Sequence, residues 1–188
     1  MKKFITDLYQ AYRKRLYKVL SNNTYSGSPI INQPCLFVGV GKIEFNKNVM
    51  LGYWPSPFYY NGYIHLEARN TSANIKFGSN IFSNNNLVVI CDKTLITICD
   101  NVLIGTNVEI YDSDFHEIHP DRRNSGFHKC APVLIEENVF LGSNVKILKG
   151  VTVGKNSIIA SNSTVVKSIP ENVIAGGNPA KVIKSVYE

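Results

Sequence analysis

The stretch IEENVF LGSNVK ILKGVT VGKNSI IASNST VVKSIP, Ile135 to Pro170, decides the fold. Read in sixes, its first positions are Ile135, Leu141, Ile147, Val153, Ile159 and Val165, an aliphatic side chain on every sixth residue. A helix returns an apolar residue after three or four, so this period is not helical. The fourth positions are Asn138, Asn144, Gly150, Asn156, Asn162 and Ser168, and asparagine and glycine tolerate the left-handed backbone that a tight corner needs. The fifth positions, Val139, Val145, Val151, Ser157, Ser163 and Ile169, are small or β-branched. Each unit reads as a short strand with one inward aliphatic residue, closed by a corner. One such rung cannot bury its own apolar face, so stacked rungs form the core and the chain is a β-helix of hexapeptides.

Working outward, the same period sets Ile75, Ile81 and Leu87, slips across Cys91 to Thr94, and resumes at Ile98, Ile104 and Ile110. From Asp112 to Pro132 it is lost in a polar, charged stretch that holds His116, His119 and His128, three of the four histidines. The rungs then resume in good order, so 112–132 reads as a loop extruded from one corner, the kind of insertion that commonly lines a binding face. Pro29 to Leu51 reads as irregular first rungs. Past Pro170, Gly176, Gly177 and Pro179 punctuate an ending. The predicted organisation is an all-β solenoid: an amphipathic helix over 1–22, the β-helix with its extruded loop over 23–174, and a C-terminal tail over 175–188.

The chain has 188 residues, 44% of them hydrophobic, enough for one domain with a sizeable core. It has no apolar run of about 18 residues and no apolar signal-peptide segment, so a cytoplasmic chain is expected. Cys35, Cys91, Cys99 and Cys130 have no C-x-x-C spacing and read as free thiols in a reducing compartment, Cys91 and Cys99 in the core. Of the net charge of +6, Lys2, Lys3, Arg13, Lys14, Arg15 and Lys18 against Asp7 alone place +5 in residues 1–18. The body is almost neutral, which gives no support to a nucleic-acid groove.

Within that basic segment Phe4, Ile5, Leu8, Tyr12, Leu16, Val19 and Leu20 follow three- and four-residue spacings, which predicts an amphipathic helix over 3–20 ending near Ser21 to Asn23. Its apolar face either covers the open end of the solenoid or a neighbouring subunit, or makes peripheral contact with a membrane or lipid-linked substrate. A second unusual segment, Tyr53 to Tyr63, packs Trp54, five Tyr or Phe rings and two prolines into eleven residues. Its rings, Trp54 and Tyr59 among them, suit stacking on a sugar; they equally suit closing a corner or an interface.

Asn80-Ile81-Phe82-Ser83-Asn84-Asn85-Asn86, Asp100-Asn101-Val102-Leu103-Ile104-Gly105, the histidine-bearing loop, Asn138-Val139-Phe140-Leu141-Gly142-Ser143 and the tail from Ile169-Pro170 to Lys184 occur in that order. This resembles the galactoside and maltose O-acetyltransferase branch of the hexapeptide-repeat acyltransferases, over roughly Ile75 to Lys184. Residues 1–74 are more similar to acetyltransferases of surface-polysaccharide gene clusters. The resemblance implies a left-handed parallel β-helix, a homotrimer with sites between adjacent subunits, and transfer of acetyl from acetyl-CoA to a carbohydrate acceptor, with no metal.

It also implies roles. His116, in Asp114-Phe115-His116, takes the place of the catalytic histidine, and imidazole titrates where a base for a sugar hydroxyl must. Asp112, Asp114 or Glu117 could orient its ring. Asn84 matches an asparagine that binds acceptor or acyl group, with Asp92, Trp54 and Tyr59 completing the expected acceptor side. Phe140, Gly142, Ser143, Ala160, Lys167, Lys181 and Lys184 lie where the family holds CoA, a rung amide near Gly142-Ser143 serving as oxyanion donor and the lysines facing its phosphates. Phe140 stands where the family often has tryptophan, keeping the stacking face without the N–H. Each residue has a plainer reading as corner, loop or solvated lysine. Two rival functions remain: N-acetylation of an amino sugar or nucleotide-linked amino sugar, and a trimeric scaffold, non-catalytic or holding a metal on His116, His119, His128 and Cys130.

Overall fold

The computed structural model describes residues 2–188; the side chains of Lys2 and Lys3, part of the predicted basic segment, lie outside the described residues. After helix α1 (Lys2–Leu20) the chain winds as a three-faced parallel β-helix. One face stacks Ile30–Ile31, Met50–Leu51, Phe82–Ser83, Leu103–Ile104, Phe140–Leu141, Ile158–Ile159 and Val173–Gly177 in parallel, and Ala180–Ser185 turns back antiparallel on the last of them. The second stacks Cys35–Gly39, Ile64–Ala68, Val88–Cys91, Glu109–Tyr111, Lys146–Ile147 and Thr164–Val165. The third stacks Lys42–Phe45, Asn74–Phe77, Leu95–Ile98, Val133–Ile135 and Thr152–Val153.

The six first-position aliphatics of Ile135 to Val165 are fully buried. The corners follow the asparagines: Asn138, Asn144, Asn156 and Asn162 have φ between 59° and 63°, and Gly150 has φ 73°. Their amides then bond from coil to coil. Asn86 Nδ2 donates to Asn107 Oδ1 at 2.8 Å, Asn107 Nδ2 to Asn144 Oδ1 at 2.9 Å, and Asn144 Nδ2 to Asn162 Oδ1 at 3.0 Å. A second ladder runs Asn138, Asn156, Asn172 and a third Asn48, Asn80, Asn101. The same residue type thus supplies the αL backbone and the tie between coils.

The solenoid begins earlier than the hexad period shows. Residues 30–51 are already rungs of the stack, irregular in length, and their longer strands with an aromatic interior hide the six-residue repeat: Phe45 stacks on Phe77 at 4.8 Å, and Tyr25 packs over Phe37 at 4.5 Å. Cys91 is buried as expected, but Cys99 is half-buried at the edge of the core; all four cysteines are free. At the far end, the strand Val173–Gly177 straddles the boundary drawn at residue 174, and the chain reverses at Asn178-Pro179.

The helix forms where predicted but docks on the opposite side. Gln10 and Arg13 are buried; Gln10 Nε2 donates to Tyr59 O at 2.7 Å and Arg13 Nη2 to Gly62 O at 2.6 Å, while Tyr17 packs on Tyr63 at 4.9 Å. The apolar residues expected to cover the solenoid face outward.

Asn107→Ala places a Cβ-bearing residue with no local compensation at φ 58° and removes two ladder bonds. The expected loss in urea unfolding is about 2–3 kcal/mol, from about 1–2 for the backbone and about 1 for the bonds. Asn107→Gly keeps the backbone free and should lose only about 1 kcal/mol; equal losses would mean the corner conformation contributes nothing.

Candidate active site

The site begins with one buried carboxylate at the end of a rung. Asp112 follows Glu109–Tyr111 and is fully buried. Its Oδ1 accepts from Asp92 N at 2.6 Å, and its Oδ2 from Lys93 N at 3.2 Å, Thr94 N at 2.9 Å and Thr94 Oγ1 at 2.8 Å. These bonds shape the corner at Asp92 to Thr94, which is where the hexad period slips. From Asp112 the extruded loop leaves through a neck: Asp114 N donates to Lys129 O, and Ala131 N to Asp112 O.

The neck lays the returning limb over Asp92. His128 Nε2 lies 2.5 Å from Asp92 Oδ2, and Cys130 Sγ lies 3.5 Å from the same oxygen. Asn70 Nδ2 donates to Asp92 Oδ1 at 3.0 Å, with Arg69 Nη1 at 3.6 Å. Burial alone would raise the Asp92 carboxyl, but bonds from His128 and Cys130 and the charges of His128 and Lys93 outweigh it and hold it below its ordinary value. An ionised carboxylate only accepts, so His128 Nε2 is the donor of this bond. Burial pushes the Cys130 thiol up, and Asp112 and Asp92 outweigh the bond from Ser113. It stays protonated, unsuited to be a nucleophile.

His116 sits differently. Phe115, before it, has φ 60° and packs edge-on against Tyr111 at 5.7 Å and under the Arg69 guanidinium at 5.0 Å. That anchors the backbone of an exposed ring whose Nδ1 lies 3.4 Å from Arg123 O. None of the three carboxylates expected to orient it does so: Asp112 is committed to the 92–94 corner, Asp114 pairs with Lys149 at 3.0 Å, and Glu117 accepts from Ile118 N. His119 accepts from Asp121 N and opens a short 3-10 turn, Pro120–Arg122.

On the expected acceptor side, Asn84 is half-buried and its Oδ1 accepts from Asn85 N at 2.8 Å. It is no αL corner residue, since Asn86 has that role with φ 65°. Asn85, fully buried, holds the aromatic loop through Tyr53 O and Pro57 O. Within that loop Trp54 is exposed, whereas the Tyr59 carbonyl is spent on Gln10 and Arg13 of α1. Asp92, expected on the acceptor side, has both oxygens bonded within the protein and supports His128.

Of the expected CoA residues, Phe140 and Lys184 fall on one line of the first face. Phe140, Ile158, Ile174 and Lys184 are successive partners across the sheet, and Lys181 pairs with Gly176 beside Ala160. Phe140 and both lysines are exposed, as is Lys167 at a separate corner. Gly142 is required by stacking: a Cβ there would meet Ser161 N at 2.7 Å. Its N–H donates to Ile159 O, and Ser143 Oγ accepts from Thr106 Oγ1 at 3.0 Å. A concavity of about 820 Å³ on the third face holds none of these residues, and its Glu44, Asp100, Glu136, Glu137 and Glu171 are wrong for an anionic cofactor.

Sequence reasoning named Asp92 for the acceptor and Asp112 as a possible partner of His116, but found neither the pairing of His128 with Asp92 nor the place of Asp112 at the root of the loop. The slip at 92–94 was the available signal for Asp112; nothing local connects His128 to a residue 36 positions earlier. Asp92, His128 and Cys130 could together reach one ion, but Lys93 Nζ, 3.3 Å from His128 Nε2, supplies positive charge there already.

Residues 132–167 match the family model of the bacterial transferase hexapeptide, six repeats. The chain is 40% identical over 135 residues to a galactoside O-acetyltransferase of Escherichia coli, covering 72% of this chain and 62% of that one. Among solved structures, a galactoside acetyltransferase in complex with coenzyme A superposes with a TM-score of 0.59 at 28% identity, over 96% of this chain and 82% of that one. The polySia-specific acetyltransferase NeuO superposes with a TM-score of 0.63 at 27% identity, over 84% and 66%. The chain spans less than two thirds of the length of the curated relatives it matches, 55% to 62% for three of them.

Asp92→Asn should lower the melting temperature at neutral pH by the equivalent of about 1–3 kcal/mol, since a buried hydrogen-bonded group loses its partner's charge. With its folded value depressed, the Asp92 contribution is present above about pH 4 and lost as pH falls through that lowered value. Thermal melts of the two proteins should therefore converge in acid; a gap independent of pH would contradict an ionised Asp92.

Proposed function

We propose that this chain, a bacterial-transferase hexapeptide-repeat protein folded as a left-handed parallel β-helix, is an acetyl-CoA-dependent O-acetyltransferase of a carbohydrate hydroxyl. The observation that carries the reading is the pairing of a fold like that of a galactoside acetyltransferase in complex with coenzyme A with a histidine loop rooted on buried Asp112. The polysaccharide acceptor is supported by the likeness to a polySia-specific enzyme and by the exposed indole of Trp54. The same reading makes it a cytoplasmic homotrimer, with exposed Leu103 and Phe140 covered at the contact between subunits.

In the mechanism, His116 takes the proton of the acceptor hydroxyl as its oxygen attacks the thioester carbonyl. The N–H of Ser143, rather than that of Gly142, which is already bonded to Ile159 O, faces the developing oxyanion. Collapse of the tetrahedral intermediate breaks the C–S bond, and the imidazolium returns its proton to the CoA sulfur. No acyl-enzyme is needed, in keeping with a protonated Cys130. Lys181 and Lys184 meet the CoA phosphates, Asn84 and Trp54 the acceptor.

A second assignment of the base is favoured by one observation: among the loop histidines, it is His128 that a buried carboxylate orients, the arrangement expected of a general base. Release of CoA thiol from acetyl-CoA with a panel of sugars and cell-surface oligosaccharides separates the two. His116→Ala should lower kcat about 10²–10⁴-fold while His128→Ala spares most of it. The reverse pattern assigns the base to His128, and no sugar-dependent release, together with no rise in melting temperature on adding acetyl-CoA, would overturn the transferase reading.

A further inference from the structure

Helix α1 binds the solenoid by its polar side. Gln10 and Arg13 are buried against carbonyls of the aromatic loop, and at 3.6 residues per turn the opposite side carries Phe4, Leu8, Tyr12, Leu16 and Val19. All five are exposed, from 38% at Leu16 to 81% at Val19. A helix whose only work was to cover the core would show the reverse arrangement, and a contiguous exposed apolar stripe marks an interaction surface.

The charge beside the stripe says what it meets. Lys18 is exposed on its flank and Arg15 within it, between Tyr12 and Val19, and with half-buried Lys14 they line a hollow of about 650 Å³ between the helix and the first rungs. The floor of that hollow is apolar, with Ile31 and Phe37. Among the described residues no carboxylate forms an ion pair with any of the three cations. An apolar stripe next to a cation-lined hollow with a greasy floor fits a phosphate headgroup joined to acyl chains.

We propose that α1 docks the protein on an anionic lipid surface, with the stripe at the boundary of headgroups and acyl chains and a lipid phosphate in the hollow beside Lys14, Arg15 and Lys18. The helix is not long and apolar enough to cross a bilayer, so it lies in the interface plane. A second copy of the chain on the same stripe would bring a like-charged segment against it, and a nucleic acid would leave the stripe in water. The proposal stands apart from the transferase reading, because neither the stripe nor the hollow includes a residue assigned to acetyl transfer.

Flotation with phosphatidylcholine vesicles, and with vesicles of phosphatidylcholine and phosphatidylglycerol in equal parts, tests it. The wild type should float with the anionic vesicles and less at raised salt. Arg15→Gln and Lys18→Gln should each weaken binding about fivefold, since a cation near such a surface contributes about 1 kcal/mol. Leu8→Ser with Val19→Ser should abolish it with the melting temperature unchanged, both side chains being exposed. The proposal is overturned if the wild type floats with neither vesicle, if the double serine variant floats undiminished, or if that variant changes oligomeric mass in sedimentation, which would assign the stripe to a second copy.

Discussion

Everything in this molecule depends on the corner asparagines. At most of its bends the coil of short strands takes the backbone into the αL region, and side chains with a Cβ resist that by about 1–2 kcal/mol unless, as in asparagine, a local polar group compensates. Asparagine accepts the conformation, and its amide then bonds to the next coil, as in the run from Asn86 to Asn162. Register, coil spacing and the burial of one aliphatic per rung all follow from that repeated choice. So does the position of the histidine-bearing loop, which is inserted between two rungs without disturbing either.

Rung stacking also sets limits on what the surface can offer. Gly142 and Gly105 are glycines because the next coil passes too close for a Cβ, and Gly142's amide is consumed by the coil below it. The groups that the stack does not use, and that stay free to meet a ligand, are outward side chains such as Phe140, exposed lysines at the terminal strand pair, and the loop rooted on Asp112. That buried carboxylate links the two levels of the structure. Four donors from residues 92–94 converge on it, and the corner they build presents Asp92 to His128.

Periodicity made the regular half of the solenoid legible: Ile135 to Val165 gave both the buried positions and the corners. The first coils were not, because their longer strands and the Phe37, Phe45 and Phe77 interior replace the aliphatic every sixth residue. For α1 the spacing of Leu8, Tyr12, Leu16 and Val19 located an apolar face correctly, yet amphipathicity does not tell which face docks. The decision was made by Arg13 and Gln10, whose partners lie about fifty residues away. Likewise His116 was reached through motif order, whereas the pairing of His128 with Asp92 is a contact between separate coils that no local pattern records. Asp112, read as a candidate partner of His116, proved to be the root of the loop.

The central claim is transfer of acetyl to a carbohydrate oxygen, and the product reports on it directly. Incubation with acetyl-CoA labelled with carbon-13 in the carbonyl, and with matched hydroxyl and amino sugars and oligosaccharides, should give an ester carbonyl resonance on a hydroxyl acceptor, lost on mild alkaline treatment, with coenzyme A as the other product. An alkali-stable amide formed in preference on the amino sugars would contradict the account and assign the same fold and donor site to nitrogen acylation.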